Sequence, residues 1–230
     1  MDRLHRTRLL FGVDAISKLQ NATVMVVGCG AVGSFAIEAL ARSGIGHLIL
    51  IDFDKVEETN INRQLFALES TVGKLKVDVA KARIKDISPG ITVEALNVFF
   101  DKDTELDVKP DFVIDAIDTV ESKIALYKWC QEKGIPFISS MGAARKTDIS
   151  QIKVDKISKT SVCPLAAKIR KIVKEKELSD FYTVFSTEPA DDNVKGKIFG
   201  SVITVTGAFG LYLADFTIKH IINNHASAAI

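Results

Sequence analysis

Thr23-Val24-Met25-Val26-Val27-Gly28-Cys29-Gly30-Ala31-Val32-Gly33 is the stretch that decides the fold. A β-branched apolar run breaks into glycines and re-emerges as the helical pattern Ser34-Phe35-Ala36-Ile37-Glu38-Ala39-Leu40. Gly28 suits the tight turn at the strand end, Gly30 lets a phosphate approach the backbone, and Gly33 lets the helix pack on the strand. The helix start offers free N–H groups and a positive dipole end to an anion. A second strand, His47-Leu48-Ile49-Leu50-Ile51, runs into Asp52, at the offset where a carboxylate meets a ribose hydroxyl. Strand, glycines, helix, strand and acid together point to a nucleotide site. They do not say which nucleotide.

The chain has 230 residues, enough for one domain with a substantial core. Lys and Arg number 30 against 29 Asp and Glu, so no whole-protein field announces a polyanionic partner. A nucleic-acid site must then be a local patch. Cys29, Cys130 and Cys163 are scattered with no CxxC pair, which excludes a four-thiolate zinc site. That usage fits a reducing compartment, and the charged N-terminus Met1-Asp2-Arg3-Leu4-His5-Arg6 lacks an apolar signal core. A cytoplasmic protein is expected.

Near the N-terminus, Arg6 and Arg8 form either a solvated basic face or an arm that reaches a phosphate; Asp14 is placed as the cap of a short helix over 14–19. Beyond Asp52, residues 53–64 are too polar and too short for a core element and follow a strand end, where open α/β sheets bind ligands. In this loop Arg63 can offer a planar fork to phosphate oxygens, and Asn60 can bond a ribose or phosphate. Gly73-Lys74-Leu75-Lys76 opens a helix to about Ile87, with Lys74 and Lys76 in its first turn. Cations there oppose the helix dipole, so at least one is expected to serve an anion. Ile91–Leu96 reads as the third strand. Phe112-Val113-Ile114-Asp115-Ala116-Ile117-Asp118 reads as a buried strand whose terminal acid is either a magnesium ligand or the cap of a helix over 119–133. Cys130 lies late in that helix and reads as core. Ile135–Ser140 is the next strand. The βαβαβ rhythm predicts an α/β fold with a mostly parallel sheet and helices on both faces.

After about residue 145 the rhythm changes, and a smaller C-terminal α/β extension is expected to complete the domain. Ile149–Val154 is a candidate strand. Pro164 leads into a helix over 165–177 carrying Lys168, Arg170, Lys171, Lys174 and Lys176 opposite Leu165, Ile169, Ile172 and Val173. This most basic stripe of the chain is either a solvated face or a nucleic-acid contact. Phe181–Phe185 reads as a strand, and residues 188–193 as a loop. The apolar run 198–214 approaches the length of a membrane span, but its Ser, Thr and Gly content favours a buried or dimer-interface helix.

Taken in order, Gly28-x-Gly30-x-x-Gly33, Asp52-Phe53-Asp54, Asn60-x-Asn62-Arg63-Gln64, Gly73-x-x-Lys76 and Asp115-x-x-Asp118 resemble the ThiF/MoeB/HesA superfamily, relatives of ubiquitin-activating enzymes. The resemblance implies a Rossmann-like adenylylation core over 1–145, with 146–230 supplying substrate and dimer elements. It implies ATP as substrate, Mg2+ as cofactor, and adenylylation of a carboxylate with release of pyrophosphate. Gly28, Gly30, Ala31 and Gly33 would form the phosphate turn and Asp52 would hold the ribose. Asn60, Arg63 and Lys76 would bind phosphates, and Asp118 the metal. Asp54, Thr59, Asn62, Gln64 and Thr119 would join the nucleotide site. Arg63, Lys76, Asp118 and Arg6 would act in the reaction, Arg6 by insertion into the neighbouring subunit of a homodimer.

Members that activate sulfur-carrier proteins often carry paired CxxC zinc ligands, which this chain lacks. Arg6-Thr7-Arg8-Leu9-Leu10-Phe11-Gly12, Asp115–Val120, Ile157–Thr160, Pro164–Arg170 and Gly200-Ser201-Val202 instead resemble the tRNA threonylcarbamoyladenosine dehydratase branch. That branch implies ATP-dependent cyclisation of the modified adenosine at position 37 of tRNAs reading ANN codons, with Lys168, Arg170, Lys171 and Lys174 on the tRNA. A sulfur-relay protein partner is compatible with the branch, and membrane association is not expected. The alternative is an adenylyltransferase for the Gly-Gly tail of a sulfur-carrier protein. Cys163 stays open as a nucleophile, since ring closure within the substrate needs no enzyme thiol.

Overall fold

The computed structural model describes residues 2–189 and 199–224. Its centre is one seven-stranded sheet in the order β3-β2-β1-β4-β5-β7-β6. The strands are β1 (Thr23–Val27), β2 (His47–Ile51), β3 (Thr92–Leu96), β4 (Phe112–Asp115), β5 (Phe137–Ser140), β6 (Ile152–Lys156) and β7 (Tyr182–Ser186). Neighbours pair in parallel except β6, which lies antiparallel to β7 at the edge. The expected Rossmann-like α/β fold is therefore observed, and residues beyond 145 extend the same sheet.

Alternation along β1 sets the two faces. Val24 and Val26 point to the face covered by α2 (Val13–Asn21), α3 (Gly33–Ser43), α4 (Lys76–Ile87) and α7 (Ile203–Asn224). Met25 and Val27 point to the other face, under Leu126 and Cys130 of α5 (Val120–Glu132). A third cluster joins α5 to Ala166, Ile169 and Val173 of α6 (Pro164–Glu175). Helices thus cover both faces, as parallel strands require. Burial pushes the Cys130 thiol well up, in keeping with its reading as core.

Several boundaries shift for local reasons. α1 covers His5–Phe11, and α2 starts after Gly12, so Asp14 sits in its first turn rather than at its cap. α4 begins at Lys76, leaving Lys74 outside. β4 stops at Asp115, whose side chain is buried, and Asp118 falls in the exposed turn after it. Thr119, not Asp118, occupies the cap position of α5. Asp148 caps a short 3-10 turn at Ile149–Gln151, so β6 starts only at Ile152. Cys163 caps α6 and Pro164 opens it, where a missing N–H costs nothing.

The apolar run after residue 198 becomes α7, longer than expected, with Val205, Phe209, Leu213, Ile218 and Ile221 in the core. Ile203, Leu211 and Tyr212 remain exposed on its outer side. No helix of the described residues is long and apolar enough to cross a membrane. Most of the loop read over 188–193 lies outside the described residues, as does residue 198.

Candidate active site

A cleft of about 690 Å³ opens at the carboxyl ends of β1, β2, β4 and β5. The chain leaves β1 for one face of the sheet and β4 for the other, so the cleft stands at the switch point. Open α/β sheets bind ligands there because the two loops diverge.

The glycine turn divides its labour. Gly28 has φ +97°, and a Cβ there would meet the Ala116 carbonyl oxygen at 2.6 Å. A Cβ on Gly33 would lie 1.8 Å from the Gly28 carbonyl oxygen. Those two glycines are demanded by the fold, and Gly33 does not line the cleft. Gly30 is different: its nearest neighbour to such a Cβ would be Gln64 Nε2 at 3.7 Å. Among the described residues no backbone carbonyl takes the N–H of Gly30 or Ala31. Space and donors together fit a phosphate at this turn.

Asp52 follows β2 and is 9% exposed. Its two oxygens accept the N–H of Cys29 at 2.7 Å and of Asp54 at 2.8 Å. Burial raises its pKa, against the opposing pull of Lys76 and these N–H donors. Beside it Phe53 and Phe99 meet edge to face with centroids 4.8 Å apart, giving the cleft an apolar wall. Phe99 escaped the sequence reading, although Phe99-Phe100 follows the end of β3 after two intervening residues, at the same rim.

Lys76, 7% exposed, donates from Nζ to Asp54 Oδ2 at 2.6 Å. The anion expected near this lysine is thus, in the protein alone, Asp54. Arg63 lines the cleft and donates from Nη1 to the Thr59 carbonyl at 2.7 Å and to Asn62 Oδ1 at 2.8 Å. Asn60 is buried and its Oδ1 accepts the Glu57 N–H at 3.2 Å, shaping the loop. Thr59, Asn60 and Asn62 do not line the cleft, whereas Gln64, Asp118 and Thr119 do. Arg6 stands exposed on α1, away from the cleft lining of its own chain.

Under the cleft floor lies a network that periodicity did not expose. Asp115 Oδ2 accepts from Lys123 Nζ at 2.7 Å, Tyr127 OH at 2.8 Å and Ser139 Oγ at 2.6 Å. Its Oδ1 accepts the Ile117 N–H at 3.0 Å, and Lys123 also donates to the Ser140 carbonyl at 2.7 Å. Both charges are fully buried. The network ties the β4–α5 turn to the end of β5, so two walls of the cleft share one anchor.

Residues 140–146 and Cys163, Phe199, Ser201 and Thr206 complete the lining. Cys163 is buried. On α6, Lys168, Lys171 and Lys174 are exposed. Arg170 departs from that stripe: its Nη1 donates to the Thr160 carbonyl at 2.9 Å and to the Thr160 hydroxyl. Among the described residues there is no cluster of three or more metal-ligating side chains. A lone carboxylate such as Asp118 fits a Mg2+ ion that takes its other ligands from phosphates and water.

A glycine turn, a buried acid and the cations Arg63 and Lys76 at a switch-point cleft define a Rossmann-like nucleotide-binding protein. The ThiF family model matches residues 4–229, and the chain belongs to the ThiF family. It is 48% identical over 192 residues to the tRNA threonylcarbamoyladenosine dehydratase of Bacillus subtilis, covering 82% of this chain and 76% of that one. With the Escherichia coli dehydratase the identity is 39% over 219 residues, covering 94% and 78%. The crystal structure of that E. coli protein, TcdA, in complex with ATP superposes with a TM-score of 0.92 at 37% identity, covering 99% of this chain and 96% of that one.

Proposed function

We propose that this protein uses ATP to adenylylate the carboxylate of threonylcarbamoyladenosine at tRNA position 37, then closes it to a ring with net loss of water. The observation that carries this reading is the open seat at Gly30, in a cleft that Asp52 and Lys76 also line, in a chain 48% identical to a dehydratase of that name. A carboxylate oxygen bonds to the α-phosphorus, and the bond to pyrophosphate breaks with its electron pair. An internal nitrogen or oxygen of the substrate then attacks the activated carbonyl carbon and gives up its proton to solvent, and AMP leaves with the electron pair of the broken carbon–oxygen bond. Two anions must meet in the first step. Arg63 and Lys76 offset that repulsion, and Lys76 exchanges Asp54 for phosphate as ATP enters. Bound at Asp118, Mg2+ would supply charge neutralisation for the leaving pyrophosphate. Chelation should abolish turnover and Mg2+ restore it; chelator-resistant activity would remove the metal from the scheme.

The reading extends to a cytoplasmic homodimer in which Arg6 reaches the partner's cleft, and to a tRNA contact along Lys168, Lys171 and Lys174. A sulfur-relay partner is a further extension, tested by co-purification with sulfur-transfer proteins; its absence would drop it. Mass spectrometry of tRNA nucleosides after incubation with ATP and this protein tests the core claim. Loss of 18 mass units from threonylcarbamoyladenosine is expected. Pyrophosphate exchange that depends on a Gly-Gly protein instead of tRNA would sink it.

A further inference from the structure

The phosphate-side cations leave one cleft lysine without a task. Lys146 follows β5 by several residues, lines the same cleft from the opposite side, and is only 4% exposed. Its Nζ donates at 2.5 Å to the backbone carbonyl of Glu188. The Glu188 carboxylate is engaged elsewhere, by the N–H of Thr147 at 3.0 Å, the N–H of Asp148 at 3.0 Å and the Thr147 hydroxyl at 3.1 Å. Against desolvation, these donors and the Lys146 charge hold the Glu188 carboxyl below its usual range, but the lysine's own hydrogen bond goes to the Glu188 carbonyl and not to that carboxylate. An ammonium has three donors and a full charge, and a neutral carbonyl takes one donor and none of the charge. Burying such a charge is costly unless an anion joins it.

The backbone before it is also set for this purpose. Arg145 adopts φ +60°, a region that side-chain-bearing residues rarely occupy. Its N–H bonds the Gly200 carbonyl at 2.9 Å, and its guanidinium lies 4.5 Å over the Phe199 ring. In an extended strand the side chains of adjacent residues point to opposite faces. Here Arg145 and Lys146 both line the cleft. Gly142, Ala143 and Ala144 line it just before them, small enough to let a ligand lie against the chain.

We infer that Lys146 is an anion-binding residue for the second substrate: it holds the carboxylate that attacks ATP, across the cleft from the phosphate cations. Glu188 fixes the lysine through its carbonyl. Lys146 acts through charge and hydrogen bonding with no proton transferred: it orients one carboxylate oxygen toward the α-phosphorus and loses its hold once that oxygen is bonded to phosphorus, because the carboxyl group then carries no charge and the remaining charge of the mixed anhydride lies on the phosphate. The inference rests on the adenylylation reading.

The test compares wild type, K146M and K146R. ATP affinity is measured by displacement of a fluorescent nucleotide, and substrate KM by pyrophosphate exchange with tRNA carrying the threonylcarbamoyl group. Affinity for the same tRNA lacking that group is the third readout. K146M should keep ATP affinity within about twofold and affinity for unmodified tRNA unchanged, while KM for modified tRNA rises about 10- to 100-fold, as for loss of one charge-assisted hydrogen bond. K146R should recover part of that loss. Unchanged KM, an equal fall in ATP affinity, or an equal loss on both tRNAs would overturn the inference. If K146M does not fold, K146R decides alone: a shift confined to KM for modified tRNA supports the subsite, and wild-type values overturn it. If wild type shows no tRNA-dependent exchange, the functional reading has failed. The subsite is then judged by calorimetric binding of N-carbamoyl-threonine to protein loaded with a non-hydrolysable ATP analogue. Binding by wild type that weakens at least tenfold in K146M, or in K146R where K146M does not fold, supports it; equal binding, or none, overturns it.

Discussion

Replacing Gly30 by alanine should separate folding from nucleotide binding. The new Cβ would have Gln64 Nε2 at 3.7 Å as its nearest neighbour, an ordinary contact, and the backbone there is not left-handed. Stability should therefore change by no more than about 0.5 kcal/mol, as for a substitution that strains nothing. The matched control is Gly33→Ala, whose Cβ would fall 1.8 Å from the Gly28 carbonyl oxygen and push α3 off β1. Overpacking of that kind costs about 3 kcal/mol. In a chain of this size that lowers Tm by roughly 6–12 °C, against under about 2 °C for Gly30→Ala. ATP binding should follow the opposite order. A methyl group on Gly30 occupies the space open to a phosphate, and a penalty of about 1.4 kcal/mol is a tenfold rise in Kd. Calorimetric titration with ATP and a melting curve on each variant decide the matter. Wild-type ATP affinity in Gly30→Ala, or a Tm as low as that of Gly33→Ala, would refute the assignment of that space to a phosphate.

Four further outcomes follow from the same geometry. Asp115→Asn leaves the buried Lys123 ammonium without its carboxylate and should cost about 3–5 kcal/mol in denaturant unfolding; a loss under 1 kcal/mol would show that the pair is not the anchor. Asp52 is raised by burial, so on folding it gains proton affinity: its contribution to stability is fully present below the unfolded pKa and is lost as pH rises through the folded one. Its ionised form, the one suited to a ribose hydroxyl, is lost at a higher pH than for an ordinary carboxylate; ATP affinity should therefore begin to fall on acidification before an ordinary carboxylate would titrate, and Asp52→Asn should flatten that profile, whereas superimposable curves would exclude Asp52 from binding. Ala at both Lys171 and Lys174 should weaken tRNA binding and reduce its salt slope by about one for each phosphate no longer neutralised; an unchanged slope returns α6 to a solvated face. Inactive Arg6→Ala and Arg63→Ala proteins should regain activity when mixed if Arg6 serves the partner's cleft, and failure to complement would count against a shared site.

The local pattern of this chain carried the fold a long way. An apolar strand, three spaced glycines and a following amphipathic helix are read within one continuous stretch from Thr23 to Leu40, because the backbone requirement and the residue type sit at the same position. That Asp52, Lys76 and Asp118 share the cleft lining was legible for a related reason: each stands in or beside a connection between a strand and a helix, and the carboxyl ends of parallel strands converge on one rim. Tertiary structure decided what spacing cannot express. Asp115 belongs to a motif legible in sequence, but nothing in the spacing shows that it meets Lys123, Tyr127 and Ser139, which come with it from three different elements and close one buried network. Arg170 belongs to the basic stripe by its number and to Thr160 by its hydrogen bonds. Lys146 enters the cleft beside Arg145 through the left-handed backbone conformation of Arg145, with a carbonyl from 42 residues away fixing it. Helix and strand periods report which face a residue occupies; the partner a charge finds there depends on contacts between elements distant in the chain, which only the folded packing brings together.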